Sequence, residues 1–190
     1  YPRAQIEFLR GRVLVGQQQW FQAARKLESV RPDVANSPDL VKQVDFLLGI
    51  CYAQMGNLDQ SVAAYSKAMA QDPLWPQARL GRAVAFLELG RLDEAVNEYR
   101  NLVQLGKASS QIVLEFTRLL ILSMLSKSPG QRNWQEVQQW LSVLEKDDAT
   151  KTDAIILRAE ILAAEKQTQE AEKLLQTHYG QDAQNSPLGL

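Results

Sequence analysis

The chain has 190 residues, 45% hydrophobic and 23% charged, with a net charge of −1. That balance excludes a disordered chain, and it gives no general attraction to nucleic acid or anionic lipid. A single cysteine, Cys51, rules out an internal disulfide and cannot hold a zinc ion alone.

Prolines and glycines are sparse, and long stretches contain neither, which favours helices. In chain order, the first helical hairpin is expected at about 4–31, where Gly11 and Ala23 stand twelve residues apart among Leu14, Leu27 and Val30. A four-residue insertion near "VANSP" separates it from the second, at 42–72. There Gly56 ends the first helix, because glycine tolerates the left-handed backbone of a C-cap. Asn57 or Asp59 is expected to offer a side-chain oxygen to the next helix's free amides. Pro73 stops the second helix, and Pro76 suits the first turn of the following one. The third hairpin, 76–105, carries Ala83 and Ala95 at the same spacing of twelve.

The fourth hairpin, 110–146, is irregular. Its first helix, Ile112 to Leu125, is apolar almost all round, as expected of a helix buried on two or more sides or covered by a partner. A long connection, "KSPGQRN", leads to a helix bearing Trp134, read as core, and Trp140, which is less constrained, as is Trp75. The fifth hairpin, 152–178, pairs Ala159 with Ala171, and 181–190 reads as a flexible polar tail. These hairpins form one expected solenoid domain over 1–180. The start at Tyr1-Pro2, without a methionine or an apolar leader, has the look of a cut in a longer protein. The cytoplasm is the default compartment, with a periplasmic or other extracytoplasmic location left open.

Sliding the second hairpin along the chain gives its best match 34 residues later. Gly56-Asn57-Leu58-Asp59-Gln60-Ser61 falls on Gly90-Arg91-Leu92-Asp93-Glu94-Ala95, and Tyr65 falls on Tyr99. A period of 34 with helical spacing inside each unit is the mark of a helix-turn-helix array. The stretch closely resembles a tetratricopeptide repeat. Counting Lys42 as position 1, the family's marks stand as Leu48 and Gly49 at 7 and 8, Tyr52 at 11, Ser61 at 20, Tyr65 at 24, Ala68 at 27 and Pro73 at 32. The aromatic of position 4 is missing, because Asp45 occupies it. Small residues recur at positions 8 and 20, where the two helices of a hairpin cross. The fold expected is therefore an all-α, right-handed superhelix, a solenoid of about five such hairpins.

The resemblance implies that the first helices of successive hairpins line a concave groove. Residues at positions 2, 5, 9, 12 and 13 would face it. The candidate partner-binding residues are Phe8, Arg12, Gln43, Phe46, Ile50, Gln54, Gln77, Leu80, Val84 and Glu88. Such a groove is apolar with glutamines at one edge, and suits an amphipathic helix or an extended apolar segment. Some family members grip a terminal carboxylate through lysines and asparagines. Here the corresponding positions hold Phe8, Arg12, Leu47, Gln77 and Gly81, with Arg12 the lone cation, so that mode is not expected.

Nothing in the sequence assembles a catalytic group. The single histidine, His178, reads as a packing or helix-end residue and Cys51 as a small buried hydrophobe. No phosphate loop, zinc-binding helix pair or calcium loop occurs, so no enzyme activity, cofactor or metal is expected. No basic face with interleaved aromatics suggests nucleic acid, and the longest apolar run, Leu119 to Leu125, is too short to insert in a membrane. The function expected is a protein–protein interaction scaffold that binds a protein or peptide. The alternatives are structural self-assembly, with homo-oligomers, or an accessory domain of a longer multidomain protein.

Overall fold

The computed structural model describes residues 2–106 and 108–185. These form ten α-helices: α1 (Pro2–Gly16), α2 (Trp20–Val30), α3 (Pro38–Gln54), α4 (Leu58–Gln71), α5 (Pro76–Glu88), α6 (Leu92–Gln104), α7 (Ser110–Leu125), α8 (Gln135–Leu144), α9 (Lys151–Ala164) and α10 (Thr168–Asn185). Successive helices pair as hairpins, so the protein is an all-α helical repeat of the expected kind. Two compact units divide it, Tyr1–Leu102 and Val103–Leu190, with the boundary inside α6. Residues 181–185, expected in a polar tail, continue α10, and 186–190 lie outside the described residues.

Four of the first helices stop in the same way. After α3, Gly56 adopts φ +75°. Its N–H donates to Ala53 O at 2.9 Å, and the Asn57 N–H donates to Tyr52 O at 2.8 Å. These two bonds form a Schellman motif, which satisfies carbonyls the helix leaves open. Gly90 and Arg91 repeat it on Leu87 and Phe86. In the first and fifth hairpins the left-handed position falls on Gln18 (φ 58°) and Lys166 (φ 64°), where a Cβ is strained. Gln18→Gly or Lys166→Gly is expected to raise stability by about 1 kcal/mol, read as a higher urea midpoint. A midpoint that falls would mean these exposed side chains contribute more than their backbone costs.

Of the two capping residues the sequence suggested, Asn57 and Asp59, Asn57 does not cap α4 through its side chain. It sits at the N-cap with φ −85° and ψ 64° and makes no such bond. Closing the Schellman motif holds it away from the extended backbone that aims an N-cap oxygen at the helix. The insertion near "VANSP" is also used differently. Pro32–Val34 makes one 3-10 turn that buries Val34, and α3 starts at Pro38, a turn earlier than the repeat pattern indicates.

In the first unit α2 packs on α3 and α4 on α5, each hairpin feeding the next. The helix crossing expected at positions 8 and 20 is tight: the Ser61 hydroxyl donates to Gly49 O at 2.8 Å. Tyr65, buried, lies between two glycines, and burial pushes its phenol up to about 12. Cys51 is fully buried, and burial pushes its thiol up to about 11, which leaves it unreactive near neutrality. Position 4, where an aromatic is missing, holds Asp45 buried against Arg31 of the preceding hairpin, with bonds of 2.5 and 2.9 Å.

In the second unit α7 buries Val113, Leu114, Phe116, Thr117, Leu119, Leu120, Ile121 and Ser123, so its apolar sequence is accounted for by packing within the fold. Trp140, half-buried, meets Phe116 edge-on at 5.7 Å. The irregular connection is tied down by Arg132, which reaches Glu165 at the end of α9 at 2.8 Å. That guanidinium holds the Glu165 carboxyl below its usual range.

Candidate binding surface on the first helices

Helix α3 touches both α1 and α5, so three first helices lie in order along the first unit. Each repeats the same wheel, and a residue at a given repeat position should have a similar outlook on all three. At positions 9 and 13 it does. Arg12, Gln54, Val84 and Glu88 are exposed, with Ile50 half-buried. Val84 is a large apolar side chain 40% open to solvent.

Position 5 behaves otherwise. Phe8 is 3% exposed and belongs to the core formed with α2 and α3. It was expected on the groove, and the structure encloses it instead, with the Arg12 guanidinium 5.9 Å from its ring centroid. Phe46 is half-buried and engaged: its ring lies 4.6 Å from Trp75 and 5.9 Å from Tyr65. The Lys42 ammonium stands 5.7 Å from the Trp75 ring. Phe46, Ile50 and Trp75 together cover the small core around Tyr65, Ala68, Met69 and Ala78. Phe46 is therefore first a joint between the second and third hairpins. Leu80, at the same position in α5, is half-buried.

What remains open on α3 and α5 is an apolar floor of Ile50, Leu80 and Val84. Its margin is polar, with Gln43 half-buried and Gln54, Gln77 and Glu88 exposed. Arg12 is the lone cation at these positions, and Glu88 the lone anion. Such a surface can bury apolar side chains on its floor and bond a peptide backbone through the glutamine amides. Trp75 was, with Trp140, one of two tryptophans that the sequence left unplaced. Its position directly before Pro76, at the start of α5, holds the indole against Phe46 across the hairpin joint.

The second unit has an apolar hollow of its own between α7 and α9, lined by Ile121, Leu122, Leu125 and Ile156, with Arg118 and Asp153 paired at 2.8 Å on its edge. Leu122 is exposed there. Among the described residues no three His, Cys, Asp or Glu side chains gather where they could hold a metal ion. No helix among them is long and apolar enough to cross a membrane.

Residues 46–110 match the family described as tetratricopeptide repeat. A tetratricopeptide repeat protein from Parabacteroides merdae ATCC 43184 superposes with a TM-score of 0.76 at 16% identity, over 96% of this chain and 69% of that one. Pseudomonas aeruginosa PilF superposes with a TM-score of 0.61 at 18% identity, over 83% of this chain and 66% of that one. The first repeat domain of Spaghetti (RPAP3), solved bound to the HSP90 peptide SRMEEVD, gives 0.54 at 16% identity, over 61% of this chain and 89% of that one. A search of curated protein sequences returns no match. At these identities the likeness is one of fold.

Proposed function

With residues 46–110 belonging to the tetratricopeptide repeats, and the described helices paired as in that fold, we propose that this protein is an interaction scaffold that binds a protein segment on its first helices. The binding surface in this reading is the open face of α3 and α5, with Arg12 of α1 at its margin. The observation that carries it is the exposed Val84 beside half-buried Leu80 and Ile50, framed by glutamines. Stacked hairpins hold such a face rigid, so little ordering entropy is lost on binding.

The chemistry favours an apolar segment over an acidic one. The peptide in the Spaghetti complex, SRMEEVD, ends in acidic residues. A tail of that type needs several cations, and the candidate positions here supply Arg12 alone. The expected ligand is a helix or extended strand presenting two or three aliphatic or aromatic side chains on one face.

Selection from a random peptide library on the immobilised protein tests this reading. Enriched peptides should be apolar on one face, and Val84→Glu with Leu80→Glu should abolish their binding at an unchanged melting temperature. Enrichment of acidic-tailed peptides, or equal binding to the double variant, would sink it. Phe46 is unsuitable for this test because its ring also supports the hairpin joint.

A further inference from the structure

One face of α1 carries open apolar side chains at positions that other first helices bury. In every regular hairpin that follows another, positions 3 and 10 of the first helix are buried against the hairpin before it. Val44 and Cys51 in α3, Ala78 and Ala85 in α5, and Ala154 and Ile161 in α9 are all at most 4% exposed. In α1 the same positions hold Ile6 and Val13, at 51% and 58%, and Leu9 at position 6 is 52% exposed. Three large aliphatic side chains thus stand open on one helix face, where single exposed ones are ordinary.

Position 7 sharpens the comparison. It is arginine in α5 and α9, and each of these arginines reaches back to the second helix of the preceding hairpin. Arg82 donates to Ser66 on α4 at 2.9 Å. Arg158 donates to Glu145 at 2.9 Å and also bonds Gln138 on α8. Position 7 of α1 is Arg10. Its side chain is 66% exposed and bonds Glu7 on its own helix.

The complementary face is on the fifth hairpin. Ala159, Ala163, Ala171 and Leu175 line an open apolar groove between α9 and α10, with Glu160 and Glu172 exposed on its rim. These residues take positions 8, 12, 20 and 24. In the second hairpin position 24 is Tyr65, and its ring receives Gly81 of α5. Glu172 stands at position 21, matching Gln138, the partner of Arg158. One open face is apolar with Arg10 and Lys26 beside it, both paired with Glu7, and the other is apolar with two carboxylates.

We propose that a second copy of this chain fills the open joint: α1 of one molecule seats on α9 and α10 of the next, head to tail, with Arg10 bonding Glu172. The occupant follows from the pairing of the two faces in apolar character, register and charge, since each supplies what an internal joint would. The surface is distinct from the open face of α3 and α5, so failure of one proposal leaves the other standing.

Sedimentation of the 190-residue chain from micromolar to millimolar concentration tests the joint. The mass should grow with concentration, and Leu9→Glu or Ala163→Glu, both at exposed sites, should each leave a monomer with normal helicity. An equimolar mixture of the two variants has one intact joint, and should form a heterodimer that grows no further. Arg10→Glu should weaken association by about tenfold or more, and adding Glu172→Arg should restore it. A monomer at every concentration, association that survives either blocking variant, or a mixture that stays monomeric would overturn the proposal.

Discussion

Gly49→Ala and Gly81→Ala are each expected to destabilise the first unit by about 1–2 kcal/mol, although alanine is the better helix former. In an open helix the exchange gains up to about 1 kcal/mol. Here an added Cβ at Gly49 would stand 2.6 Å from two ring carbons of Tyr65, and one at Gly81 would stand 2.5 Å from its Cζ. Both added Cβ atoms would press on Cε1 of a ring that is itself buried, so it has little room to yield. Overpacking of that kind costs about 1–3 kcal/mol and overrides the propensity gain. Gly11 is the control. Its Cβ would meet Leu27 Cδ2 at 2.8 Å, a flexible chain end that can turn away, so Gly11→Ala should cost less. Tyr65→Ala alone should cost about 3–5 kcal/mol. In that background Gly49→Ala should become neutral or stabilising, because the ring it opposes is gone. Additive losses in urea denaturation of the single and double variants would show that the ring is not the obstacle.

Arg31 and Asp45 should give unequal losses when removed one at a time. The Asp45 side chain is 2% exposed and the Arg31 side chain 40%. Arg31→Met strands a buried carboxylate and is expected to cost about 3–5 kcal/mol. Asp45→Leu strands only a guanidinium that can turn to water, while filling the space with apolar volume, so its cost should stay within about 1 kcal/mol. The double variant should resemble Asp45→Leu. Equal losses for the two single changes would mean that the carboxylate is not the group that needs its partner.

This pair also marks a limit of sequence reasoning. The absence of an aromatic at position 4 is plain from the repeat register. That Asp45 would be buried there is not, because its partner lies fourteen residues earlier, in another hairpin and across the insertion. Phe8, Phe46 and Leu80 teach the same lesson. They share position 5 and one wheel angle, yet Phe8 is core, Phe46 is a joint residue and Leu80 remains partly open. Cover at position 5 depends on the neighbouring hairpin: Trp75 lies on Phe46, whereas Phe8 is enclosed between α2 and α3. Periodicity along one chain does not report the sizes of side chains arriving from another element.

The sequence by itself determined which stretches are helical and where α3 and α5 stop, though not the early start of α3 or the length of α10. It also determined which residues are small at each crossing, and that the hairpins repeat. Those are local matters: helical period, the left-handed tolerance of Gly56 and Gly90, and the volume available at Gly49 and Ser61. The tertiary structure alone decided which equivalent residues stay open to a partner. Each joint is closed by side chains from two hairpins. An identical repeat position is therefore buried at Val44 and exposed at Ile6, where no preceding hairpin covers it among the described residues.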